Sequence, residues 1–362
     1  VTEIHGTCDK RFEAVRDALA ESLDKADVGA SVAVYLGDQP VVDIWGGYAD
    51  ATRTKPWERD TITNVFSSTK TMTALCALIL ADRGVIDLDA PVAKYWPEFR
   101  ATNVLVRHAL SHTAGLPDWD PPIAREDLLD WDRATALLAR QTPQWEPGTA
   151  AGYHSMTFGH LVGEVVRRAT GRTLATFFAE EVAGPLGADF HITLPAEHDH
   201  RVSLSIAPPE SPDGDWTAGT QVYGPEHGIR LSEGNSLTWR RTEFPATGGI
   251  GNARSMAAVQ SVLANGGTAR GIRLLSEAGC ARASEEQFNG EDQLLGMSMR
   301  WGMGYALFGN TCAWGGWGGS IVMVDPTARL TVAYAMNQMM DPRTAPDERA
   351  MSFMTTAYTG LR

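Results

Sequence analysis

Between residues 8 and 26 the apolar side chains Phe12, Val15, Ala18, Leu19 and Leu23 recur at helical spacing among charged neighbours, which predicts an amphipathic helix. The period then shortens. Residues 30–36 and 40–46 are brief, β-rich runs, and Gly37-Asp38 between them predicts a hairpin. An extended run at Ile62–Phe66 leads into a helix from Ser67 to Arg83, halted at Gly84. Met72, Leu75, Cys76, Leu78, Ile79 and Leu80 make that helix apolar on most sides, so it is expected to be central and buried. From 85 to 200, helical pieces alternate with proline-rich turns such as Leu116–Pro122 and Trp145–Gly148. Strand patterns return at Gly304–Phe308, Ser320–Asp325 and Leu330–Asn337, the last two joined at Pro326-Thr327-Ala328, and a final helix is predicted over Pro346–Tyr358. Residues 200–245 hold Pro, Gly and Ser clusters that follow neither period.

Strands and helices at both ends, with helices between, predict an α+β fold. A mainly antiparallel sheet flanked by helices is expected from residues 1–84 and 201–362, interrupted by a mostly helical domain over 85–200. The chain has 362 residues, 43% hydrophobic and 21% charged, which suffices for a large core. Its formal charge is −13, and no basic run exceeds a pair such as Arg167-Arg168 or Arg240-Arg241. That balance argues against nucleic acid or an anionic membrane as partner. Four cysteines without C-x-x-C spacing argue against a zinc ribbon, a redox pair or a disulfide framework. No run approaches the length of a membrane span and no leader pattern opens the chain, so a cytoplasmic location is expected.

The sharpest chemical signal is Ser67-Ser68-Thr69-Lys70, where an extended run turns into the apolar helix. A spacing of three places Ser67 and Lys70 one turn apart on the same face. Burial and the positive end of a helix both lower a lysine's pKa, so such an amine can take a serine's proton. The serine's own N–H lies at a helix start, where free donors can receive an oxyanion. The plain alternative is an N-cap serine with a solvated lysine, which is the reading for the similar Ser22-Leu23-Asp24-Lys25 on a charged helix face. Tyr153-His154-Ser155 follows a Pro147-Gly148 turn, and a tyrosine there can relay a proton if a nearby ammonium lowers its pKa; taken alone, a surface-anchored tyrosine is the better explanation. Trp314-Gly315-Gly316-Trp317-Gly318-Gly319-Ser320 sits beside a strand. Its glycines would let an edge-strand backbone approach a ligand, although a bulged turn with two packed tryptophans would look the same. His108 and His112 lack a third ligand, so no metal is expected, and no cofactor motif is present.

In order and spacing these motifs resemble the serine β-lactamase-like hydrolases, and within them most closely the family VIII carboxylesterases. Leu110-Ser111-His112-Thr113-Ala114-Gly115-Leu116-Pro117, Pro185-Leu186-Gly187 and Thr247-Gly248-Gly249-Ile250-Gly251 extend the resemblance over about residues 10 to 360. It implies Ser67 as acylated nucleophile, Lys70 and Tyr153 as its proton-handling partners, and the N–H groups of Ser67 and Trp317 as the oxyanion hole. Trp314 stands where β-lactamases carry the lysine of Lys-Thr-Gly, and Ser155 replaces their Tyr-x-Asn asparagine. A tryptophan there offers an apolar wall in place of an ammonium that would hold a substrate carboxylate, which favours a neutral ester. The implied activity is hydrolysis of short-chain acyl esters. Gly315, Gly316, Ser155, His154, Trp119 and Trp239 are the further candidates for the pocket. An amidase, β-lactamase, D-peptidase or acyltransferase of the same fold remains the alternative, together with a binding relative that has no need of an intact Ser67, Lys70 and Tyr153.

Overall fold

The predicted hairpin becomes the N-terminal part of a nine-stranded sheet. In this computed structural model the described residues are 2–210, 229–342 and 344–362. The sheet's strands are β1 (Ile4–Cys8), β2 (Gly29–Leu36), β3 (Gln39–Gly47), β4 (Phe288–Asp292), β5 (Met297–Trp301), β6 (Ala306–Phe308), β7 (Thr311–Gly315), β8 (Ile321–Asp325) and β9 (Leu330–Met336). Their spatial order is β1-β3-β2-β9-β8-β7-β6-β5-β4, and every neighbouring pair is antiparallel. The junction between the two ends of the chain is the β2–β9 ladder, running from Leu36↔Leu330 to Ala30↔Met336.

Both of those strands are buried along nearly their whole length, as strands covered on two faces must be. The register says which helix covers which face. Ser31 Oγ accepts the N–H of Ala253 at the start of helix α4 (Ala253–Ala264), so the Ser31 face meets α4. Val32 points the other way, and its partner Tyr334 packs on Phe353 of the C-terminal helix α5 (Arg349–Thr359). Helix α1 (Glu13–Lys25) lies alongside α5 and buries Val15, Ala18, Leu19 and Leu23, the stripe read from the sequence. Its predicted first turn is a separate 3-10 turn, Lys10–Phe12, opened by the Asp9 carboxylate accepting the Arg11 N–H.

Helix α2 (Thr69–Asp82) is buried from Thr69 to Leu80 and packs on α3 (Thr157–Thr170). The predicted strand before it is shorter, Ile62–Asn64, and pairs antiparallel with Ile250–Gly251 and parallel with Val202–Ser203. Sequence periodicity missed β1, β4, β5 and β7. Glycine and acidic residues break the alternation in β4 (FNGED), and an outer strand carries less of the apolar pattern that marks a buried one. Part of the unread stretch 200–245 falls at residues 211–228, outside the described residues; after it come the short helices Leu231–Gly234 and Leu237–Arg241. Among the described residues no helix is long and apolar enough to cross a membrane.

Candidate active site

The chain reaches Ser67 through a strained corner. Phe66 has φ +46°, in the left-handed region a phenylalanine rarely adopts, and Phe66–Ser68 form a 3-10 turn ahead of α2. The Asn64 side chain accepts the Phe66 N–H at 3.0 Å, and Val65 N–H donates to the Gly249 carbonyl at 2.9 Å. Thr69 Oγ1 in turn accepts the Gly249 N–H at 2.8 Å, and Thr73 Oγ1 donates to the Pro245 carbonyl. The glycine-rich segment 247–251 thus clamps the head of the helix, which explains a motif that had no stated task.

Lys70 Nζ, fully buried, lies 3.1 Å from Ser67 Oγ, 2.7 Å from the Ser155 carbonyl and 3.2 Å from the Ala246 carbonyl. Burial drives its pKa well below the ordinary lysine range, with no opposing carboxylate contribution. A neutral amine has two N–H groups and one lone pair. The two carbonyls take the N–H groups, which leaves the lone pair for the serine hydroxyl.

Tyr153 is hydrogen-bonded to Ser67 and accepts the Trp314 indole N–H at 3.0 Å. Burial pushes its phenol up, against the expected lowering, and its hydrogen bonds with Ser67 and Trp314 only partly offset this. Lys70 Nζ does sit 4.8 Å from the centre of the Tyr153 ring, but burial disfavours its charge, and the phenol's shift is dominated by its own burial. With Lys70 neutral and Tyr153 protonated, the hydrogen bonds run one way: Trp314 N–H to Tyr153, Tyr153 O–H to Ser67, Ser67 O–H to Lys70.

The structure corrects several expected pocket residues. His154 is fully buried, with Nδ1 2.6 Å from the Gly152 carbonyl and Nε2 accepting the Leu116 N–H at 3.1 Å. Both ring nitrogens are spent on backbone and burial pushes its pKa down to about 4, so it is a brace and not a cleft residue. Trp119 is a core residue whose indole donates to the Ala134 carbonyl while its ring meets His160 edge-on. Trp314 packs on Tyr153 and Trp301 and spends its N–H on the phenol; it is not among the cleft's described walls. Those walls are Phe66, Ser67, Ser155, Met156, Ile229, Trp239, Thr247 and Trp317, around about 300 Å³ of empty space. Ser155 and Trp239 therefore do line the cleft, and Trp317 stands edge-on to Phe66 at 5.1 Å. Gly315 ends β7, and a Cβ on Gly316 would lie 2.0 Å from the Val65 carbonyl oxygen, so glycine there is what lets this backbone reach the corner before Ser67.

Three supports escaped sequence reasoning. Ser320 Oγ donates to the Val65 carbonyl at 2.8 Å and lies 3.0 Å from Ser68 Oγ, tying the glycine loop to the 3-10 turn. Buried Asp292 accepts the Tyr153 N–H at 3.1 Å and the Trp301 indole at 3.1 Å, and no motif surrounds it to announce this. His112, at φ +60°, accepts the His154 N–H on Nδ1 at 2.9 Å and packs on Tyr153 and Trp301. The indole-to-phenol bond gives a direct test. Trp314→Phe keeps an aromatic ring, though a smaller one, and deletes the N–H, and one hydrogen bond of about 1 kcal/mol predicts a five- to tenfold drop in kcat/KM on a small ester. An unchanged kcat/KM would show that the phenol's position does not depend on the indole.

A serine–lysine pair at the head of a buried helix, beside the inner strands of an antiparallel sheet, defines a serine hydrolase of the β-lactamase fold. Residues 15–352 match the Beta-lactamase family model, and the chain belongs to that family. It is 34% identical to the Esterase/beta-lactamase LipL of Mycobacterium tuberculosis, covering 95% of this chain and 85% of the relative. Among solved structures, a family VIII carboxylesterase superimposes with a TM-score of 0.90 at 42% identity, covering 99% of this chain and all of that one. A penicillin-binding protein homologue from Caulobacter crescentus gives the same TM-score, 0.90, at 35% identity and 99% coverage of this chain.

Proposed function

We propose that this carboxylic ester hydrolase turns over small neutral esters through an acyl-enzyme on Ser67, with Lys70 as base, Tyr153 as proton relay and the N–H groups of Ser67 and Trp317 as oxyanion hole. The observation that carries the mechanism is the fully buried Lys70 Nζ 3.1 Å from Ser67 Oγ, in a setting where burial disfavours its charged form. Ser67 Oγ attacks the ester carbonyl as its proton passes to Lys70. The leaving alkoxide takes the Tyr153 proton, and the Lys70 ammonium makes good that loss. Water then attacks the acyl-enzyme, giving its proton to the same pair, and Ser67 leaves with a proton as the acid product departs.

Every described wall of the cleft is uncharged, and the position of the β-lactamase lysine is filled by an indole already bonded to Tyr153. A substrate carboxylate would find no cation among these described walls, which supports a neutral ester over a β-lactam or a D-peptide. The confined space beside Ser67 supports short acyl groups. The relatives whose names include esterase support the same class. β-Lactam cleavage is kept as a second reading because the printed name of the Mycobacterium relative carries both activities.

Rates on p-nitrophenyl acetate, p-nitrophenyl butyrate and nitrocefin, with mass spectrometry of the enzyme trapped during ester turnover, test the proposal. Rapid ester cleavage, a mass increment on the Ser67 peptide and little nitrocefin turnover are expected. Nitrocefin turnover equal to that of the esters would move the protein to the second reading, and an acyl adduct on another residue would remove Ser67 from the mechanism.

A further inference from the structure

We infer that Arg349, on the opposite side of the glycine loop from Ser67, is a positioning residue for the reaction: its grip on the Gly318 carbonyl fixes the turn that presents the Trp317 N–H to the oxyanion. The inference rests on the oxyanion hole proposed above. Arg349 opens α5 and its side chain is only 6% exposed. All five of its N–H groups are used. Nη1 donates to Asp27 Oδ1 at 2.7 Å and to the Gln338 carbonyl at 2.8 Å. Nη2 donates to the Gly318 carbonyl at 2.7 Å and to Asp347 Oδ2 at 2.8 Å, and Nε donates to Asp347 Oδ1 at 2.9 Å. Asp27, itself wholly buried, is held by the Tyr334 hydroxyl at 2.8 Å and the Ser22 hydroxyl at 2.6 Å. The guanidinium is therefore immobile, and one of its charge-assisted bonds is spent on a loop peptide.

Within the loop one turn bond, Gly319 N–H to the Gly316 carbonyl at 3.1 Å, spans Trp317 and Gly318, and the rest of its hold comes from outside. Gly318 and Gly319 lie at φ +92° and +136°, conformations from which glycine escapes at small cost. Upstream of Trp317, Gly316 is fixed by donating its N–H to the Ser320 carbonyl at 2.8 Å and by its close approach to Val65. Downstream, the Gly318 carbonyl is fixed by Arg349 and by the Met340 N–H at 3.0 Å. A Cβ on Gly319 would lie 2.5 Å from Arg349 Nη2, so the loop rests directly on the guanidinium. Trp317 is bracketed between these two clamps, one leading to the nucleophile's corner and the other to Arg349. Burying an ion pair costs desolvation that an apolar pair would avoid, and holding a catalytic peptide in one orientation is a return on that cost. Lysine cannot replace the arrangement, because its three N–H groups radiate from one atom and cannot span Asp27, Asp347 and two carbonyls.

The test uses Arg349→Lys and the milder Asp347→Asn, whose carboxylate is partly accessible. Two readouts are compared: steady-state hydrolysis of p-nitrophenyl butyrate, and inhibition by phenylboronic acid, which forms a tetrahedral adduct on a catalytic serine with an oxygen in the oxyanion hole. For Arg349→Lys, kcat should fall about tenfold or more with KM within about twofold, and boronate affinity should fall by a matching factor. Asp347→Asn should show smaller losses of both in the same proportion. A merely structural role would lower the melting temperature and leave both readouts on the folded enzyme within twofold of wild type, which would overturn the inference. So would a fall in kcat with unchanged boronate affinity. If Arg349→Lys does not fold, Asp347→Asn decides on the same two readouts. Ser67→Ala separates the two layers: retained activity there removes the acyl-enzyme reading itself, whereas an inactive Ser67→Ala beside an unaffected Arg349→Lys removes only the role of Arg349.

Discussion

Ser67→Ala is expected to lower kcat/KM on p-nitrophenyl butyrate by about 10⁴-fold or more, the scale at which a missing nucleophile leaves only binding and oxyanion contacts. The two hydroxyls that follow Ser67 in the chain are committed elsewhere. Ser68 Oγ lies 3.0 Å from Ser320 Oγ in the tie between loop and turn, and Thr69 Oγ1 accepts the Gly249 N–H. The substitution should leave the fold intact, since alanine fits a helix start and the Phe66 corner is held by Asn64 and Gly249 backbone contacts that do not involve the serine side chain. Matching melting curves with activity within tenfold of wild type would show that another group carries the chemistry.

The second large effect is predicted for Lys70→Met, which keeps the buried volume and removes the proton acceptor. A general base is worth about 10² to 10⁴ in rate, so a loss near 10³-fold is expected. The same side chain makes a stability prediction of determinate sign. In the unfolded chain the lysine titrates near 10.4 and is protonated at neutral pH. In the folded protein burial lowers that pKa well below its ordinary value, so the unfolded state binds the extra proton and wild-type stability rises with pH up to the unfolded pKa. Lys70→Met lacks this proton. Its melting temperature relative to wild type should therefore improve as the pH is lowered from about 9.5 to 7. The slope is the diagnostic quantity, because the Ser155 and Ala246 carbonyls each lose a donor at every pH. A difference independent of pH would mean that the folded lysine keeps its charge, and the base would have to be sought elsewhere.

What could be read in the chain follows physical lines. Helix α2 was legible because its burial is nearly complete and its side chains say so residue by residue. The β2–β3 hairpin and β8–β9 pair were legible because their turns carry explicit glycine or proline signals. Ser67 and Lys70 needed only a spacing of three on one helix, and the glycine loop around Trp317 advertised itself by composition. Trp314 reads in sequence as an apolar wall, and what the sequence does not carry is the direction of its N–H, which goes to Tyr153 at 3.0 Å. His154 and Trp119 misled for the converse reason. Each lies beside a motif in the chain yet turns into the core, and neighbourhood in sequence does not fix side-chain direction. Asp292 could not have been found, since its service to Tyr153 spans 139 positions and depends only on tertiary approach.

The sheet order also sets a timetable for synthesis. Ser67 and Lys70 leave the ribosome early, yet β2 cannot meet its neighbour β9 until the Leu330–Met336 segment has been made. Until then β2 is an unpaired edge whose apolar residues await cover on one side, the kind of surface that invites association with other chains. Closing so distant a ladder is entropically slow, so the nascent protein passes through a long interval with Ser67 translated but the sheet unclosed. The last parts of the apparatus to be made are the glycine loop and, beyond it, Arg349. Activity should thus arrive late and all at once, with the closing of the sheet's centre as the step that converts a vulnerable chain into an enzyme.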